Sequence, residues 1–174
     1  MLMVNQLNGF GVGGDDWHTV FSATLSGDVN NVGYTSREVI PNAQLTDPTG
    51  TLWRFTFRSG DANGVTIDKA YVGSRAAAGD AYDVDSFTQI LFGAAAYFSV
   101  APATDKLSDE VAFTLTAGRD LVISFYSSSG RSSSQTISSV TDYYKLGDDA
   151  ATANTSGYTG NNNYFQGVRL IETK

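Results

Sequence analysis

Between Leu52 and Arg58 the chain alternates at every step. Trp53, Phe55 and Phe57 fall on one side, and Arg54, Thr56 and Arg58 on the other. A period of two is the mark of a half-buried β-strand, whose successive side chains point to opposite faces. No helical periodicity competes with it, because Gly and Ser interrupt every stretch that could form a helix. The same alternation recurs at Val111, Phe113 and Leu115, and again at Leu121, Ile123 and Phe125. Thr19–Leu25, Val65–Gly73, Phe87–Phe92, Tyr97–Ala101, Thr136–Val140 and Tyr164–Glu172 also read as strands, the last with a bulge at Gly167. Val32–Pro41 is ambiguous.

Turn chemistry suggests how these pieces connect. Ser59–Gly64 ends in Asn-Gly, so Leu52–Arg58 and Val65–Gly73 are expected to pair as a hairpin. Ala117-Gly-Arg-Asp120 suggests a second hairpin between Val111–Leu115 and Leu121–Tyr126. Arg75–Ser86, the Ser-rich Ser127–Ser134 and the small, polar Ala150–Asn163 read as loops. Roughly eight to ten short strands with turn signals every ~8–12 residues predict an all-β chain, an antiparallel β-sandwich of jelly-roll type. Residues 1–16 read as an extended Gly-rich arm and residues 17–174 as one domain.

Composition narrows the function. The net charge of −7 opposes nucleic-acid binding, which needs a basic surface to neutralise phosphates. No apolar run approaches the ~18 residues of a membrane span. With no cysteine, disulfides, thiolate nucleophiles and Cys–zinc sites are absent. Met1–Gly14 has neither a basic start nor a continuous apolar run and does not read as a secretory signal peptide.

Several stretches resemble the β-sandwich module that stands beside the catalytic domain in some SGNH (GDSL-type) esterases. They are Trp53–Ile67, Phe92-Gly93 leading to Ser108-Asp-Glu-Val111, Leu121–Tyr126, Tyr143–Asp148 and Gly167–Ile171. The resemblance covers about two-thirds of the chain. It implies a sandwich in a carbohydrate-associated setting. That family's Gly-Asp-Ser and Asp-x-x-His blocks are missing, so it contributes no catalytic residue. The opening Val4-Asn-Gln-Leu-Asn-Gly-Phe-Gly-Val-Gly-Gly14 is similar to the starts of some small phage structural proteins.

His18 is the sole histidine, and without a Gly-x-Ser-x-Gly elbow it reads as an ordinary rim residue rather than the base of a triad. Asp80, Asp83 and Asp85 share one loop. They read first as a solvated acidic loop; the competing reading makes them ligands of a structural calcium, the one cofactor the sequence suggests. Tyr143, Tyr144 and Tyr158, with Asn161 and Asn163, crowd the last third of the chain. Aromatic rings that stack on sugar faces beside amides that bond hydroxyls are the chemistry of a glycan- or partner-binding surface; packing at the sandwich edge is the other reading. The expectation is a non-catalytic virion protein, a phage capsid-decoration or tail component. Its partners would be itself as a homo-oligomer, other virion proteins and surface carbohydrate, with no nucleic acid and no membrane insertion. The alternative is a free-standing, extracellular carbohydrate-binding module.

Overall fold

The computed structural model describes residues 16–174. The arm expected over residues 1–16 therefore lies, except for Asp16, outside the described residues. The strands are β1 (His18–Ser22), β2 (Ser26–Asn30), β3 (Tyr34–Ile40), β4 (Leu52–Arg58), β5 (Val65–Ser74), β6 (Thr88–Ile90), β7 (Phe98–Val100), β8 (Asp105–Leu107), β9 (Val111–Ala112), β10 (Leu121–Leu146), β11 (Thr159–Gln166) and β12 (Val168–Thr173). One 3-10 turn, Asn42–Gln44, follows β3. The first sheet runs β1-β12-β4-β8, with β9 also on β4. The second runs β11-β10-β5-β6, with β2 and β3 also on β10 and β7 on β5. The pairings are antiparallel, and the two sheets form the β-sandwich that the alternation predicts.

The core lies between the sheets. Trp53, Phe55 and Phe57 of β4 face Ile67, Ala70 and Val72 of β5 and Leu121, Ile123 and Phe125 of β10 within one cluster. Phe57 sits at its centre, with ring centroids 5.5 Å from Phe92, 5.7 Å from Phe98 and 5.8 Å from Phe125. Burying each such side chain contributes roughly 1.5–3 kcal/mol.

β10 organises the second sheet. Leu121–Ser127 pairs with β3 on one side, and Thr141–Leu146 pairs with β3 on the other. Both arms are antiparallel to β3, so they run in the same direction, and Ser128–Val140 must return between them. The Ser-rich stretch makes that return as extended chain, paired with β2 through Arg131, Ser132 and Ser134. Small Ser side chains suit the passage because Ser132 and Ser133 are buried there.

Neither expected hairpin forms. β4 pairs with β12, β8 and β9, whereas β5 pairs with β10, β6 and β7. The Ser59–Gly64 turn carries the chain from one sheet to the other. It is anchored by Ser59 Oγ donating to the Ala101 carbonyl at 2.7 Å and by Gly60 N donating to the Arg131 carbonyl at 2.7 Å. β9 and the first arm of β10 are likewise in different sheets. The strand expected over Tyr164–Glu172 is two strands, β11 and β12, again one in each sheet. Gly167 is their junction: its φ is +76°, and a Cβ there would lie 2.7 Å from Phe125 Cζ. That position needs glycine on both counts.

Candidate functional site

The face of β3 alternates between two environments. Arg37 and Val39 point away from the main core; Tyr34, Ser36, Glu38 and Ile40 point toward the inter-sheet side, where Ile40 joins the core. The second arm of β10 divides in the same way, because Asp142 lies opposite Glu38 and Tyr144 opposite Ser36 in the register.

Arg37 is fully buried and acts as a clamp. Its Nη1 donates to the Tyr82 carbonyl at 2.9 Å and the Ala153 carbonyl at 3.3 Å, and its Nη2 to the carbonyls of Asp149 at 3.3 Å and of Thr152. The guanidinium lies 4.7 Å from the Tyr158 ring centroid and 5.2 Å from that of Phe87. The 76–86 and 147–158 loops thus fold onto the outer face of the second sheet, where Tyr82 and Val84 of the first loop pack on Val39 and Val122. Burial lowers the Arg37 pKa, an effect opposed by Tyr158, Asp83 and Asp149. Burial also pushes the Tyr158 phenol up to about 12.

On the other side lies a crevice of about 450 Å³, lined by Val29, Asn30, Asn31, Tyr34, Ser36, Asp142, Tyr144, Asn161, Tyr164 and Gln166. Tyr34 and Tyr144 meet edge to face at 6.1 Å. Leu146, paired with Tyr34, is 70% exposed. The interior is polar and buried: Asn31, Asp142 and Gln166 are 3%, 2% and 3% exposed. Gln166 Nε2 donates to Ser36 Oγ and to Asp142 Oδ2, each at 3.0 Å, and Asn31 Nδ2 donates to Ser132 Oγ at 2.9 Å. Among the described residues Asn31 Oδ1 and Gln166 Oε1 have no hydrogen-bond partner, whereas the Glu38 and Asp142 carboxyls face each other and share a hydrogen bond. Burial and then the neighbouring Asp142 push the Glu38 carboxyl well above the ordinary carboxylate range. Burial lifts Asp142 to about 7, against hydrogen bonds that lower it. The pair therefore holds a proton near neutral pH, where an exposed pair would be ionised.

The residues singled out in the sequence divide between these places. Tyr144 and Asn161 line the crevice. Tyr143 and Tyr158 lie on the opposite face, with ring centroids 5.1 Å and 4.8 Å from Tyr82. Asn163 lies where the register between β10 and β11 shifts, and it accepts from Ser139 N at 2.9 Å. Tyr143 and Tyr144 had to separate, because neighbours in a strand face opposite ways. Asp80, Asp83 and Asp85 do not converge. Asp83 Oδ2 accepts from Asp80 N and Asp80 Oδ2 from the Tyr82 hydroxyl, both at 2.8 Å, while Asp85 is exposed. Among the described residues no three His, Cys, Asp or Glu side chains form a metal-binding group. His18 Nε2 is 2.9 Å from the Asp47 carbonyl oxygen.

A second groove, of about 630 Å³, is lined by residues including Arg58, Asp105 and Arg169. Both arginines there are engaged by Asp105, and Asp61 also lies 3.6 Å from Arg58, so the two positive charges face two carboxylates. No protein-family model and no curated protein sequence matches the chain. Among the described residues the crevice brings tyrosines and amide side chains together in one concave space. Sequence reading misses Asn31, Asp142 and Gln166 because they come from three separate parts of the chain. The run Tyr34-Thr-Ser-Arg-Glu-Val39 has no polar–apolar alternation, so the two faces of β3 leave no signal in the sequence.

Proposed function

We propose that this chain is a non-catalytic structural protein of a phage particle, a decoration or tail component, that presents a carbohydrate-binding crevice on its β-sandwich. The observation that carries the binding part is the crevice itself. It combines the tyrosines Tyr34, Tyr144 and Tyr164 with the amide and carboxyl oxygens of Asn30, Asn31, Asn161, Asp142 and Gln166. Sugar rings offer apolar faces to aromatic walls and hydroxyl donors to such oxygens, and concave sites with a few convergent polar groups are where small ligands bind.

The particle setting draws support from the acidic, cysteine-free composition and from the Gly- and Asn-rich opening that resembles phage structural proteins. It also draws support from β11, which stands at an edge of its sheet with Thr159–Asn163 exposed. An open strand edge is protected when it joins a neighbouring subunit. The same crevice serves a free-standing carbohydrate-binding module, and the two settings differ in assembly.

The test is a glycan array probed with wild type and Tyr144→Ala, alongside light scattering of the purified protein. Binding to a glycan class that the substitution weakens at least tenfold, by an oligomer, is the expected result. A monomer that binds identifies the free-standing module. Absence of binding across the array removes the carbohydrate reading.

A further inference from the structure

Beneath the floor of the crevice four polar side chains meet almost out of reach of solvent. Ser36 and Glu38 of β3 are fully buried, and Asp142 of β10 and Gln166 of β11 nearly so. Gln166 Nε2 lies 3.0 Å from Ser36 Oγ and 3.0 Å from Asp142 Oδ2. The main chain of Gln166 faces Glu38, whose carboxyl shares a hydrogen bond with that of Asp142.

A hydroxyl, a carboxamide and a carboxyl held together in this way are the parts of an acyl transfer. An amide C–N bond is about 1.33 Å long, so Ser36 Oγ lies within ~4.3 Å of Gln166 Cδ. Reacting atoms in a near-attack arrangement stand about 3–3.5 Å apart, a difference that a small side-chain rotation supplies. Fixing both groups in one buried place replaces a chance encounter with an effective concentration on the order of 10⁵ M or more. Asp142 stands at the nitrogen that has to leave. Because it shares a proton with Glu38 near neutral pH, the pair can give one proton and take back another. Burial also keeps out water, which competes as a nucleophile and hydrolyses the product.

We infer that Ser36 and Gln166 join as an intramolecular ester with loss of ammonia, and that Asp142 carries the proton to the departing nitrogen. Ser36 Oγ bonds to Gln166 Cδ, and the Cδ–Nε2 bond breaks. Asp142 gives a proton to Nε2, and the carboxyl pair recovers one from the Ser36 hydroxyl. One hydrogen passes from oxygen to nitrogen overall, and nothing is oxidised or reduced. The reaction occurs once per chain, with no turnover. It ties β3 to the end of β11, across 130 residues of sequence, in a chain that has no cysteine for a disulfide. A link closing so long a loop restricts the unfolded chain as a disulfide does.

Intact-mass spectrometry of the full chain, denatured after incubation at pH 7, tests this. Wild type should fall about 17 Da below the mass of its sequence, the loss of one ammonia. Tandem mass spectrometry of a digest should find one peptide joined to another through Ser36 and Gln166, and hydroxylamine should open the link. Ser36→Ala should keep the full mass. Asp142→Asn, checked for folding by thermal unfolding, should form the link at least about tenfold more slowly. Wild type that keeps its full mass after prolonged incubation overturns the inference. So does a loss that persists in Ser36→Ala, because the ammonia then comes from another amide. A folded Asp142→Asn that links at the wild-type rate removes the role given to Asp142. Should Ser36→Ala fail to fold, the joined residues found in the wild-type digest decide the matter alone.

Discussion

The Glu38–Asp142 pair makes stability depend on pH in the direction opposite to that of most carboxylates. Asp142 is 2% exposed and its pKa is lifted from the ordinary 3.8 to about 7. The folded state therefore binds a proton that the unfolded chain gives up once pH exceeds about 4. Between those values the folded state carries the excess proton, so stability falls as pH rises. Below about pH 4 the stabilising contribution is fully present, and above about pH 7 it is lost. A tenfold gain in proton affinity is worth about 1.4 kcal/mol. The rise from 3.8 to about 7 thus amounts to on the order of 4 kcal/mol, an upper value because Glu38 shares the proton. Asp142→Asn keeps the shape and removes the titration. Urea unfolding of both proteins at pH 4.5, 6 and 8 reads the effect of the pair, because the carboxylates other than Glu38 cancel in the difference. The variant should gain about 2–4 kcal/mol on wild type between pH 4.5 and pH 8. A difference that stays flat, or in which wild type gains as pH rises, refutes the buried-pair reasoning.

Arg37→Leu should release both loops that the guanidinium holds by their carbonyls, at about 3–5 kcal/mol, since the main-chain oxygens lose a charged donor. Limited proteolysis should then cut within residues 147–158, and resistance equal to wild type would show that the clamp is not needed. Gly167→Ala should cost about 2–5 kcal/mol in urea unfolding from left-handed strain plus displacement of Phe125; a loss under about 1 kcal/mol would show that the junction between β11 and β12 relaxes freely.

The sequence reveals the faces of strands more readily than their partners. At β4 alternation alone identifies Trp53, Phe55 and Phe57 as core, and all three are buried. The same alternation cannot say that β4 and β5 belong to different sheets, because a turn that crosses the sandwich uses the same Ser, Gly, Asp and Asn as one that closes a hairpin. β3 is ambiguous for a related reason. Its Thr35, Ser36, Arg37 and Glu38 are all buried, and a buried polar run looks like a loop until its partners are known. Ser127–Ser134 reads as a flexible tip and is paired chain, buried at Ser127, Ser132 and Ser133, where small side chains fit as β10 returns past β2. Of the candidate site, Tyr144 and Asn161 are within reach as an aromatic and an amide near a polar loop. The buried acceptors that give the crevice its character are not, since Asn31, Asp142 and Gln166 meet only through the pairing of β10 with its neighbours.

The most direct test of where ligand binds is to map it by NMR. Amide shifts of the labelled protein would be followed while the tightest-binding glycan of the array is titrated in. The changes should gather at Asn31, Tyr34, Tyr144, Asn161 and Gln166, around the crevice. Changes confined to Tyr82, Tyr143 and the 147–158 loop would place the ligand on the opposite face, under Arg37, and contradict the assignment of the site.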